Sequence, residues 1–280
     1  MKIADISTYQ GNIDWGKARK ELDFVILRSS VGNKQDNKYI FNAMNCGLPF
    51  GVYHYFKAGT AEEAEKEAKF FYECATQEGL EPLFFCPDIE YETQTSKTTK
   101  VVCQTILDTL RFLGAKKVGL YIGQSRYSYI RDIKDYFDFI WIPRYGKNTG
   151  EADENYAPKY PCDIWQYTSM GHIDGIPTRV DLNILYGEKD LEWFIHKGLR
   201  IEPPLKRSIF YLKGNTLRKN DNNKAVAELQ LLLNSFGYLC GRKDGFFDDN
   251  TEKVLKAFQK DHGLTADGIC GPKTINKIIG

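Results

Sequence analysis

The chain has 280 residues, with 38 Lys and Arg against 37 Asp and Glu, for a formal net charge of +1. That balance leaves no basic excess for a nucleic-acid footprint, and no apolar run is long enough to span a membrane, so neither nucleic acid nor membrane insertion is expected. The length accommodates one large domain and one small one.

The first residues, Met-Lys-Ile-Ala-Asp-Ile-Ser, run straight into a strand and lack the apolar core and cleavage site of a signal peptide. The expected location is therefore the cytoplasm of the producing cell. Residues 3–6 form this strand and deliver Asp5. A short helix over 15–20 follows. The continuous apolar run 24–27 is a strand buried on both faces, with Arg28 at its end. A helix over 38–45 stops at Gly47, and 50–56 is the third strand, carrying Tyr53, His54 and Tyr55. Thr60 and Glu63 form a capping box that opens an amphipathic helix.

An apolar run then climbs out of Leu83 and ends in Asp88-Ile89-Glu90. Side chains alternate along a strand, so the two acids share a face, with Cβ atoms roughly 6–7 Å apart. Alone, an Asp-x-Glu tripeptide is more often solvated decoration of a strand end. At the end of a buried strand two neighbouring carboxyls are costly, because the first to ionise makes the second hold its proton. A proton donor beside a carboxylate is the equipment for breaking a glycosidic bond.

A helix over 98–113 ends at Gly114. Strands follow over 118–122 (Tyr121), 139–142 (Trp141), 164–167 (Tyr167) and 180–182 (Asp181), with a closing helix over 191–196. Strands alternating with helices predict parallel βα units, and eight strands predict a barrel: an α/β fold, an irregular TIM-like (β/α) barrel. Active sites of such barrels lie at the C-terminal ends of the strands. Asp5, Arg28, Tyr55, Asp88, Glu90, Tyr121 and Asp181 all lie at or near such ends. His54, opposite in parity to Tyr53 and Tyr55, reads as a core histidine.

The polar, proline-marked stretch 197–208 reads as a linker. Beyond it, three helical stripes predict a second, small three-helix all-α domain over 209–280. Asp244-Gly245 precedes Thr251 as Asp267-Gly268 precedes Thr274, an internal echo in which each Thr is expected to cap or open the next helix. The seven cysteines show no CxxC spacing and the four histidines no zinc-ligand spacing. No metal and no cofactor are expected. Cys46, Cys74, Cys86 and Cys103 read as buried thiols; Cys240 and Cys270 could pair.

Residues 1–196 resemble the family 25 glycoside hydrolases, a lysozyme family. The motifs are Asp5-Ile6-Ser7 with Tyr9-Gln10-Gly11, Gly51-Val52-Tyr53-His54-Tyr55, Asp88-Ile89-Glu90, Trp141-Ile142 with Arg144-Tyr145, Trp165-Gln166-Tyr167 and Val180-Asp181-Leu182-Asn183. Residues 209–280 resemble a peptidoglycan-binding module, with Phe247-Asp248 where that family usually has Phe-Gly. The combination is endolysin-like, which implies release of the enzyme through a phage-encoded membrane lesion, a holin.

The resemblance implies bacterial peptidoglycan as substrate and cleavage between N-acetylmuramic acid and N-acetylglucosamine. It implies Glu90 as general acid, its pKa raised by neighbouring carboxylates, and Asp88 or Asp181 as stabiliser of the charge growing at the sugar carbon. Asp5 would tune or position the others by hydrogen bonding. Whether a carboxylate or the substrate's own N-acetyl oxygen attacks stays open. Tyr55, Tyr121, Trp141 and Tyr167 are expected to line the groove. Arg28 and Arg144 either pair structurally with acids or hold a substrate carboxylate. Two other readings are a non-catalytic wall-binding protein and a hydrolase of another N-acetylated polymer such as chitin.

Overall fold

The computed structural model describes residues 1–195, 212, 214–235, 238, 240 and 244–279. The expected linker, 197–208, and His196 at the end of the expected closing helix lie outside them. The chain forms two compact units, Met1–Leu199 and Arg200–Gly280.

The first unit runs β1 (Ile3–Ile6), α1 (Trp15–Ala18), β2 (Phe24–Val31), β3 (Lys34–Gln35), α2 (Tyr39–Asn45), β4 (Phe50–Tyr55), α3 (Ala61–Thr76), β5 (Phe85–Ile89), α4 (Thr99–Leu113), β6 (Gly119–Ile122), β7 (Phe139–Pro143), β8 (Ile164–Gly171), β9 (Val180–Leu185) and α5 (Leu191–Ile195). The strand order is β1-β9-β8-β7-β6-β5-β4-β2, closed by a β1–β2 pairing, with β3 a short hairpin appended to β2. This is the expected barrel with one reversal. Its neighbours pair in parallel except β9, which is antiparallel to both β8 and β1. Only residues 172–179 join β8 to β9, too few for the crossover that a parallel neighbour requires. The α-helices that connect strands all precede β6; 3-10 turns replace them between β6 and β7.

Alternation divides each strand cleanly. Ala4, Val25, Leu27, Phe85, Ile89, Leu120, Ile140 and Trp165 face outward into a core shared with the helices. α3 contributes Ala64, Ala68 and Phe71 and is opened by the expected Thr60–Glu63 capping box. α4 contributes Val102, Ile106 and Leu110 and is ended by Gly114 at φ +108. The opposite parity, Ile3, Phe24, Ile26, Phe84, Cys86, Phe139 and Ile164, fills the lumen. Phe194 of α5 plugs the lower mouth, its ring 5.1 Å from Phe139 and 5.9 Å from Phe84. Gly51 and Gly119 make room for these rings: a Cβ at either would lie 2.3 Å and 2.1 Å from Phe84 and Phe139 respectively. The lower half of the lumen is thus filled by hydrocarbon, with buried Lys117 donating to Trp193 O and Phe194 O at the plug.

The second unit holds α6 (Lys224–Ser235), α7 (Asp249–Asp261) and α8 (Pro272–Ile279) around Val226, Leu229, Leu233, Leu255, Phe258 and Ile275. The internal echo is a repeated hydrogen-bond motif. Gln230 Nε2 donates to Phe246 O (2.9 Å) and Thr251 Oγ1 (3.1 Å), while its Oε1 accepts from Gly245 N (3.0 Å). Gln259 does the same with Ile269 O, Thr274 Oγ1 and Gly268 N. The two threonines therefore act as acceptors for a glutamine, not as caps. Asp248 caps α7 instead, accepting from Thr251 N at 2.7 Å, which accounts for an acid where the family usually has Gly. Cys240 and Cys270 are both buried and are not bridged to each other, which resolves that open possibility against pairing.

Gly119→Ala should destabilise the first unit by about 1–3 kcal/mol through overpacking against Phe139, read as a lowered denaturation midpoint with an unchanged m-value.

Candidate active site

Three strands bring four carboxyls to the upper rim. Asp5 on β1 and Asp181 on β9 are directly paired across the antiparallel ladder. Residues so paired project from the same face with Cβ atoms about 5 Å apart, and like charges there repel. Because β9 runs backwards, its second residue lies at the rim where the parallel strands end. Asp88 is the fourth residue of β5, paired with Tyr55 on β4 and Tyr121 on β6. Glu90 follows β5 directly and is solvent-exposed in the cleft.

Beneath the acids lies a polar network. Asp5 Oδ2 accepts from Gln166 Nε2 at 2.9 Å and from Asn183 Nδ2 at 2.8 Å. Gln166 Oε1 accepts from the phenols of Tyr121 (3.0 Å) and Tyr145 (2.7 Å), and Asn183 Oδ1 accepts from the indole of Trp141 (2.8 Å). The Trp141 indole can only donate, which fixes the Asn183 amide with its N–H toward Asp5, and Gln166, accepting from the two phenols, turns its own N–H the same way. Asp5 thus bonds to two amides rather than to the other acids, which corrects its expected hydrogen-bond partners; it acts on Asp88 and Asp181 through its charge.

The electrostatics follow from this crowding. Burial pushes Asp5 up to about 6, opposed by its bonds from Asn183 and Gln166. Burial, then the Asp5 charge, pushes Asp181 up to about 8. Asp88 is held well above the usual carboxylate range by burial and by the charges of Glu90 and Asp5, with Arg28 opposing. Its Oδ1 is buried and accepts no hydrogen bond. Glu90 is raised by partial desolvation and opposed by Arg126. The expected cause, neighbouring carboxylates, is therefore corrected: Glu90's own charge acts on Asp88, Asp5 and Asp181.

The other expected residues divide. Tyr55 is half-buried at the rim, edge-on to Tyr91 at 6.2 Å. Tyr121 is buried and stands level with Asp88 in the ladder, and Trp141 is 1% exposed, packed edge-on against Tyr53 and Tyr121. Both bond to the polar network beneath the acids. Tyr167 points the other way, into the outer core beside Trp165, because it alternates with the inward Gln166. Arg28 is paired with Asp36 at 2.8 Å and lies over the exposed Tyr9 ring. Arg144 donates to Ala157 O. His54 is fully buried, with Ser30 Oγ at 2.6 Å from Nδ1 and Glu67 Oε1 at 2.9 Å from Nε2.

Gln166, Asn183 and Arg126 had no role assigned from sequence. For the first two a signal existed: single amides at the inward parity of apolar strands, Asn183 in step with Asp181. Arg126 sits in a 3-10 segment with no periodic signal. Among the described residues no group of three or more His, Cys, Asp or Glu could hold a metal ion, and no helix is long and apolar enough to cross a membrane.

Residues 4–176 match the model of glycosyl hydrolases family 25, and residues 222–278 match that of a peptidoglycan binding domain. An autolytic lysozyme of Clostridium acetobutylicum is 25% identical, aligned with 98% of this chain and 77% of its own length. The N-acetylmuramoyl-L-alanine amidase CwlM of Mycobacterium tuberculosis is 38% identical over 72 residues, 26% of this chain and only 17% of that protein. Among solved structures, the catalytic domain of endolysin ply40 from a Listeria monocytogenes bacteriophage is similar with a TM-score of 0.60 and 30% identity, covering 66% of this chain and 93% of its own.

The folded protein holds a proton on Asp181 up to about pH 8 that the unfolded chain, with a carboxyl near 4, releases, so stability falls as pH rises between those values. Asp181→Asn should therefore raise the thermal midpoint of the first unit by several degrees at pH 8 and leave it nearly unchanged near pH 4, as measured by calorimetry at the two pH values.

Proposed function

The chain belongs to glycosyl hydrolases family 25, and from that premise we propose that it is a cell-wall muramidase that cleaves the β-1,4 bond between N-acetylmuramic acid and N-acetylglucosamine. The observation that carries the reading is the convergence of Asp5, Asp88, Glu90 and Asp181 on one rim, with the solvent-exposed Glu90 beside the buried Asp88. Glu90 is the general acid. Its raised pKa keeps a proton available, and it stands in the open cleft where a leaving oxygen can reach it.

Asp88 and Asp181 are each pushed toward the protonated form, which makes them poor direct nucleophiles at neutral pH. The substrate's own N-acetyl oxygen takes that part, a recognised alternative to the two-carboxylate scheme. Asp88 supports it: its Oδ1 is buried without a partner and so is free to accept the acetamido N–H. Asp5, held on two amides, keeps a fixed charge below the sugar. Tyr55 at the rim offers a ring face to the sugar, and Arg28 steadies Asp88 from the side. The second unit binds peptidoglycan and raises the local concentration of the enzyme on an insoluble substrate.

Glu90→Gln should lower turnover of purified peptidoglycan by at least about 10²-fold while the protein stays folded. Mass analysis of wild-type products should find N-acetylmuramic acid at the new reducing ends; cleavage of chitin in place of peptidoglycan would overturn the assignment. Walls stripped of their N-acetyl groups should resist the wild-type enzyme, and equal cleavage of both kinds of wall would point to a carboxylate nucleophile.

A further inference from the structure

Glu90 is followed at once by a turn. Two carbonyls of that turn, Tyr91 O and Gln94 O, each accept a 2.8 Å hydrogen bond from Nη1 of Arg126. Arg126 stands on the 3-10 segment Gln124–Ile130, which leaves β6, the neighbour of β5. The turn is held from within as well. Buried Gln94 accepts from Tyr91 N at 2.7 Å and donates to Phe56 O at 2.8 Å, just past β4. The segment carrying Glu90 is therefore tied to the exits of both flanking strands. The same guanidinium that makes the clamp also turns its charge on the Glu90 carboxyl and on the Tyr55 phenol.

We propose that Arg126 is a positioning residue for glycosidic cleavage: through Tyr91 O and Gln94 O it clamps the turn that follows Glu90 and so keeps a positive charge near that carboxyl. The proposal rests on the reading of Glu90 as general acid and adds what sets its geometry and acid strength. Two other cations stand near, Arg28 paired with Asp36 and Lys57 5.5 Å over the Tyr91 ring, but only the Arg126 charge acts on Glu90. Asp5, Asp88 and Asp181 from β1, β5 and β9 are carboxyls. Tyr55, Tyr121 and Tyr145 are phenols, neutral over the working range. Burial makes Glu90 a weaker acid and Arg126 makes it a stronger one, so its proton is retained in the free cleft yet can be given up to the leaving oxygen.

The test compares kcat and apparent KM across pH for the full-length wild type, Arg126→Met, Arg126→Lys and Glu90→Gln on purified peptidoglycan, with thermal melting as a check on folding. Arg126→Met should lose about 10- to 100-fold in kcat, since a displaced reacting group is costly, with KM nearly unchanged. Its alkaline limb should move upward by about half to one pH unit, because Glu90 without the opposing charge keeps its proton to higher pH. Arg126→Lys keeps the charge but ends one bond short of the position of Nη1 that serves both carbonyls, so the limb should return toward wild type while the rate stays reduced. An alkaline limb in Arg126→Met that coincides with wild type, or a rate loss that only follows loss of folded protein in both variants, overturns the proposal. Glu90→Gln separates the two levels: if it stays active, the general-acid reading fails and this proposal with it; if it is inactive while the limb stays fixed in Arg126→Met, only the role of Arg126 fails.

Discussion

The pairing of β1 with the reversed β9 is the constraint on which the first unit turns. It closes the barrel, and in the same register it sets Asp5 opposite Asp181. A carboxyl pair at a ladder position is unfavourable by itself, since like charges face each other and both are partly removed from water. The fold tolerates the pair because the two members are treated differently. Asp5 receives two amide N–H groups on one oxygen, which favours its charged form. Asp181, without comparable donors, is left to hold a proton. Closing the barrel and creating an acidic site are one structural event.

That site depends on what lies under it. The lower lumen is filled by Phe24, Phe84, Phe139 and Phe194, and two glycines are needed to admit the rings. With water shut out from below, each polar group at the upper level must find a partner inside the protein or face the cleft. Trp141, Tyr121 and Tyr145 supply those partners to Asn183 and Gln166, which in turn serve Asp5. The aromatic residues near the site thus act mainly as hydrogen-bond donors with large apolar bodies.

Two buried carboxylates show how scaffold and site differ. Glu67, on the outer side of the sheet, accepts from Lys57 N and Ala58 N at 2.9 Å each and pairs with His54, so its oxygens are occupied and it braces the chain beyond β4. Asp88, on the inner side, has an oxygen with no donor at all. A folded protein rarely leaves such an atom unmet in its interior. Its place beside the open cleft makes a substrate N–H the natural complement.

The alternation of apolar residues and the Asp88-Ile89-Glu90 pair were readable from the chain, because local chemistry fixes which side chains share a face and where a strand ends. Periodicity also marked the two units, and an Asp-Gly…Thr echo was visible, although not the glutamines that its threonines serve. What a strand's own residues do not encode is its direction or which face turns inward. Barrel strands are apolar on both sides, so Tyr167 and Gln166 looked equally able to face the cleft, and only closure of the sheet sent the tyrosine outward. The reversal of β9 follows from a short connection rather than from the strand itself. Arg126 comes to Glu90 because β6 lies beside β5, a proximity created by pairing over distance that no local pattern carries.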